Sequence, residues 1–83
     1  MSNEKKKDFE LLKQEEQLLT EISILIDKDF AIKLQNEFKS TYHSYSFVYY
    51  LEILERCKTL LLKDINDFDA IRKIIYKNLD YLF

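Results

Sequence analysis

An all-α protein, built as a small up-down four-helix bundle, is the expectation for this 83-residue chain, and three observations carry it. The chain contains neither glycine nor proline. Tight hairpin turns draw on those residues for their backbone angles, so every turn here has to be made by Asp, Asn, Ser or Lys. Four stretches place apolar residues three or four apart, the spacing of one helix face. The connections between them are short and polar, which favours antiparallel neighbours. A three-helix version, with the second and third segments merged, is the alternative.

The first helix is expected from about Lys5 to Ile26, with residues 1–4 frayed and Ser2 or Asn3 as a possible cap ahead of Glu4. Leu12, Leu19 and Ile26 repeat at seven, Leu11, Leu18 and Leu25 repeat one residue earlier, and Ile22 completes the face. Upstream, the matching positions are Glu15 and Asp8, so the first half is expected to be less buried. At ~1.5 Å per residue this helix spans roughly 30 Å. It is either a long bundle helix with a solvated tip or a coiled-coil arm for a partner.

Asp27-Lys28-Asp29 makes the first turn, with Asp29 as the expected N-cap. The second helix, about Phe30 to Lys39, steps by four through Phe30, Leu34 and Phe38 to Tyr42, and Ala31 and Ile32 widen that stripe. Ser40 to Ser46 is rich in hydroxyl and aromatic side chains, which have poor helix propensity, and a turn is expected there.

Ser44 to Lys63 is the most apolar stretch and is expected to be the central helix, capped by Ser44 or Ser46. Phe47, Leu54 and Leu61 share one line, Tyr50 and Cys57 sit three residues on, and Ile53 and Leu60 broaden the arc. Glu52, Glu55, Arg56, Thr59 and Lys63 occupy the opposite side, with Glu52 and Arg56 in the favourable i,i+4 order. Val48, Tyr49 and Leu62 fall outside the main arc. Asp64 to Asp69 separates this helix from the last, with Asn66 and Asp69 as a variant capping box. The fourth helix is expected from about Asp67 to Leu82, with Phe68, Ile75 and Leu82 repeating at seven, Ile71, Ile74 and Leu79 beside them, and Asp69 paired to Lys73.

The chain is 47 % apolar and 34 % charged, a globular composition, and it is read as one small domain, residues 1–83. A chain this short buries only roughly 60 % of its unfolded surface, so self-association would add stability. Net charge is −2, made of −3 over residues 1–29, +2 over 30–63 and −1 over 64–83, with no clustered basic face for nucleic acid. A single cysteine gives no internal disulfide, no apolar run reaches the ~18–20 residues of a membrane span, and no signal-peptide pattern opens the chain. A cytoplasmic location is expected. The Lys, Ile, Leu, Asn, Phe and Tyr bias points to an AT-rich genome, such as that of a low-GC bacterium, its phage or a parasite.

Motifs for catalysis and metal binding are missing. Asp64-x-Asn66 opens like a calcium loop, but Phe68, Asp69 and Ile75 stand where a ligand, a glycine and a glutamate are required. His43 is preceded at three residues by Ser40, not Glu, so the di-metal carboxylate motif is absent. Cys57 lies on the apolar arc, where it reads as a small buried hydrophobe. Without glycine there is no phosphate loop and no nucleophile elbow. No enzyme, no metal and no cofactor are expected.

The aromatic run Tyr42, His43, Tyr45, Phe47, Tyr49, Tyr50 remains. Tyrosine supplies rigid contact area plus a hydroxyl at low entropic cost. Phe47 and Tyr50 are read as core. Tyr45, Tyr49 and Leu62, with the C-terminal Tyr81 and Phe83, are the candidate partner-binding residues; the alternative is that the tyrosines cap one end of the bundle. The expectation is a non-enzymatic helical interaction module, or a small assembly or regulatory subunit, binding a protein partner or a second copy as a homodimer. A peripheral membrane or bacteriocin-immunity-type bundle at the bilayer surface is the alternative. It rests on Lys5, Lys6 and Lys7 ahead of an apolar face, and the acids among them weaken that attraction.

Overall fold

The computed structural model describes the backbone of residues 2–42 and 47–79 and the side chains of residues 9–39 and 47–78. Among the described residues there are four helices and no strand: α1 (Ser2–Leu25), α2 (Lys28–Tyr42), α3 (Phe47–Leu62) and α4 (Phe68–Leu79). Side-chain contacts give their directions. Glu15 of α1 meets Tyr50 of α3, and further along Glu21 meets Lys58, so α1 and α3 run parallel. Phe30 and Phe38 of α2 meet Phe68 and Tyr76 of α4, so that pair is also parallel. Glu15 reaches Gln35 and Lys39 across the hairpin at Ile26-Asp27, which makes α1 and α2 antiparallel. The order is up, down, up, down. α2 and α3 therefore run antiparallel and are separate helices, not one.

α1 packs on α2 and α3, while α4 packs on α3 and, through its aromatic side chains, on α2. The cross-section is therefore two triangles of helices sharing the α2/α3 edge. Among the described residues, this leaves the outer side of the α1/α2 pair without a further helix.

Helix ends are made without glycine. Asp27 caps α2: the Phe30 amide donates to its Oδ1 at 2.7 Å and the Ala31 amide to its carbonyl at 3.3 Å. The expected cap, Asp29, instead sits in the first turn, where its charge faces the helix dipole. At α4 the cap is Asp67 and not Asn66, with the Ala70 amide donating to Asp67 Oδ2 at 3.1 Å. The expected Asp69–Lys73 pair is replaced by Asp69–Arg72 at 3.9 Å. α3 ends in a Schellman motif. The Ile65 amide donates to the Leu60 carbonyl and the Asp64 amide to Leu61, both at 3.0 Å, with Asp64 at φ 66°. Ile65 and Leu60 both pack on the core, supplying the apolar contact that accompanies this motif.

Twelve buried apolar residues form the core cluster, and α3 contributes six of them: Tyr50, Leu51, Ile53, Leu54, Cys57 and Leu61. Ile22 of α1, Ala31, Leu34 and Phe38 of α2, and Ile71 and Ile75 of α4 complete it. The expected central helix is thus the central helix, although Phe47 is half-buried and Leu51 joins the buried residues. α1 departs most from expectation. Leu12 and Leu25 are exposed, and Glu15 is buried. α1 also begins at Ser2, ahead of Lys5, and α2 continues to Tyr42, three residues into the expected turn.

Candidate functional site

Two features stand out, and they share Glu15. The first is a polar cluster inside the bundle. Glu15, 5 % exposed, accepts from the Tyr50 hydroxyl at 2.6 Å and from Gln35 Nε2 at 3.2 Å on the same oxygen, Oε2. Lys39 Nζ lies 3.2 Å from Oε2 and 3.4 Å from Oε1. Lys39 also sits over the Phe47 ring, whose edge meets Tyr50 at a centroid distance of 5.4 Å. One carboxylate from α1 therefore joins α2 to α3. Burial pushes its pKa up, but the hydrogen bonds from Tyr50, Gln35 and Lys39, together with the Lys39 charge, outweigh burial and hold it below the ordinary value. Burial and the bond to Glu15 in turn hold the Tyr50 phenol well above its ordinary range. The carboxylate, the amine and the phenol of the cluster are all engaged with one another.

The second feature is a groove of about 440 Å³ on the outer side of α1 and α2. α1 lines it with Glu15, Glu16, Leu19, Thr20 and Ser23, and α2 with Lys28, Ala31, Ile32 and Gln35. Its floor is apolar, because Leu19, Ala31 and Ile32 meet there. The Ser23 hydroxyl donates to the Leu19 carbonyl at 2.8 Å, so it is turned into its own helix. Exposed Leu12 and Phe9 continue the same strip of α1, at spacings of three and four through Phe9, Leu12, Glu16, Leu19 and Ser23. Of this strip, Leu12 and Leu19 belong to a row that the periodicity predicts for the core, and Ile32, on α2, to the predicted widening of its stripe.

Among the expected partner-binding residues, the structure places two. Leu62 is 60 % exposed near the end of α3, and Tyr49 is half-buried against the core near its start. Three turns of helix separate them, so they form no joint patch. Tyr45, Tyr81 and Phe83 lie outside the described residues, as does His43. Cys57 is fully buried, and burial pushes its thiol up to about 12, so it offers no thiolate at neutral pH. Among the described residues no group of three or more His, Cys, Asp or Glu side chains is placed to hold a metal ion. No described helix is long and apolar enough to cross a membrane. Compared with known proteins, the chain matches no family model, no curated protein and no solved structure.

Proposed function

We infer that this chain is a cytoplasmic protein interaction module, which acts by burying helix surface against a protein partner and carries out no chemistry of its own. The observation that supports this best is the α1/α2 groove with its apolar floor and the exposed Leu12 and Phe9 beside it. Single apolar side chains on a surface are ordinary, whereas a contiguous apolar strip with a polar rim is what a binding face requires. Leu62 and Val48 are exposed on α3, and Tyr45, Tyr49 and Leu62, with Tyr81 and Phe83, are the partner-binding residues expected from the sequence. The groove is preferred over these because its apolar residues are adjacent.

The test compares two double variants, Leu12→Glu with Ile32→Glu, and Val48→Glu with Leu62→Glu, for proteins that co-purify with the chain from its own cell. Leu12 is 54 % and Ile32 42 % exposed, so the first pair should leave thermal unfolding within a few degrees of the parent. It should also abolish association, while the second pair retains it. Recovery of the same proteins in the same amounts with the groove variant would sink the assignment.

A further inference from the structure

We propose that the partner covering the α1/α2 groove is a second copy of this chain, related by a two-fold axis that crosses the helices at the level of Leu19 and Ile32. This rests on the interaction-module reading and names the occupant of its groove. Three features carry it.

The lining is balanced about that level. On α1 it extends from Glu16 to Ser23 around Leu19 and Thr20, and on antiparallel α2 from Lys28 to Gln35 around Ala31 and Ile32. An isologous contact needs this, since each half of the patch must meet the other half of its copy.

Charge at the rim then selects the axis. Glu16 stands at one end of the groove, with Glu15 beside it already answered by Lys39, and Lys28 stands at the other. Neither Glu16 nor Lys28 is in an ion pair among the described residues, and both are exposed. An axis across the helices brings each Glu16 end to the Lys28 end of the other copy. An axis along the helices would stack acid on acid and base on base. Only the first is electrostatically self-complementary.

The apolar content suits the same arrangement. Two α1/α2 hairpins placed face to face make four helices around a second small core, formed by Leu19 and Ile32 of each copy over Ala31. A standard interface takes about 800 Å² from each partner, roughly an eighth of this chain's 6074 Å². A patch two helices wide and about three turns long measures roughly 20 Å by 16 Å, or about 320 Å², which is below that class, so a weak dimer is expected, dissociating in the high-micromolar range.

The experiment uses the full chain in sedimentation velocity over a dilution series at low salt, with Glu16→Lys, Lys28→Glu and a mixture of the two. The parent is expected to dimerise in the high-micromolar range. Each reversal alone places like charges together twice per dimer, and should weaken association about tenfold or more. In the mixture, position 16 of either chain meets position 28 of the other as a Lys–Glu pair. A heterodimer at least tenfold tighter than either variant's homodimer is therefore expected. A purely intramolecular role for these charges cannot produce that result. A parent monomeric at millimolar concentration overturns the proposal, and so does a mixture that associates no better than its parts. If the parent is monomeric yet Leu12→Glu with Ile32→Glu still removes a co-purifying protein, the interaction module stands and the second copy is refuted. If the parent dimerises but neither reversal weakens it, the copies meet through another face, and this proposal falls.

Discussion

Replacing Tyr50 by Phe tests the polar cluster directly. Tyr50 is 1 % exposed and its ring packs edge-on to Phe47, so the substitution keeps the packing and removes one hydroxyl. That hydroxyl donates to a buried carboxylate at 2.6 Å. A hydrogen bond to a charged group contributes about 1.5–3 kcal/mol, and the acceptor left behind has lost water as well as its donor. For a chain of this length, total stability is about 4–12 kcal/mol at the usual 0.05–0.15 per residue. The loss is thus a large share of the whole, and lowers the midpoint by roughly 6–20 °C.

pH separates this account from a simple packing defect. Glu15 has a folded pKa below its ordinary 4.5, so its contribution is fully present above that value and is lost as pH falls through the folded pKa. Without the Tyr50 donor, burial is opposed only by Gln35 and Lys39, and the folded pKa rises. The stability gap between parent and Tyr50→Phe should therefore be complete at pH 7 and shrink below about pH 4. Other carboxylates titrate equally in both proteins and cancel in the difference. Urea unfolding followed by circular dichroism at pH 7 and pH 3 measures both gaps. A gap under about 0.5 kcal/mol at pH 7, or one equal at both pH values, refutes the role given to Glu15.

Three further expectations use the same unfolding assay. Glu15→Leu combined with Tyr50→Phe removes acceptor and buried donor together, leaves Lys39 at the surface, and should lie within about 1 kcal/mol of the parent, unlike Tyr50→Phe alone. Asp64→Gly relieves a left-handed backbone at φ 66° while keeping the Schellman bonds, and should raise stability by about 0.5–1 kcal/mol; Asp64→Val should lower it. Asp67→Ala removes the acceptor for the Ala70 amide and should cost about 1 kcal/mol, whereas Asn66→Ala should cost less than half of that.

How far the sequence carried the fold follows from how local each determinant is. α3 was legible because its apolar arc is wide and repeats at seven without interruption. The absence of glycine and proline disposed of strands and hairpins. The caps of α2 and α4 lie within one or two residues of the expected ones, and Asp27 and Asp29 are chemically alike. Only the start of α2 at Lys28 decides which of them stands outside the helix and which in its first turn. The low helix propensity of Ser40 and Thr41 proved too weak to end α2, as single-residue propensity often is against continued packing. Glu15 was misjudged for a different reason. A carboxylate on an apolar face reads as solvated, and what buries this one are donors 20, 24 and 35 residues away, which no local pattern announces.

That misjudgement and the groove have one cause. The two apolar rows of α1, Leu11-Leu18-Leu25 and Leu12-Leu19-Ile26, flank a middle line that holds Ile22 and Glu15. Seated on the second row, α1 would bury Leu12 and keep Glu15 nearer to water, with no charge to desolvate. In the structure it is seated on the middle line, with Ile22 fully buried, Leu11, Leu18, Leu19 and Ile26 half-buried around it, and Leu12 outside. Apolar burial alone does not favour that seat, because it exposes a leucine and desolvates a carboxylate. The balance is restored by Tyr50, Gln35 and Lys39, whose hydrogen bonds exist only when Glu15 points between α2 and α3. Turning Glu15 inward also turns Leu12, Glu16 and Ser23 toward the outer side of α2. There Leu12 extends the apolar floor of Leu19, Ala31 and Ile32, and Glu16 and Lys28 become the oppositely charged ends of the groove. The polar contact that fixes the register of α1 inside the bundle is thus also what leaves Leu12 on the surface.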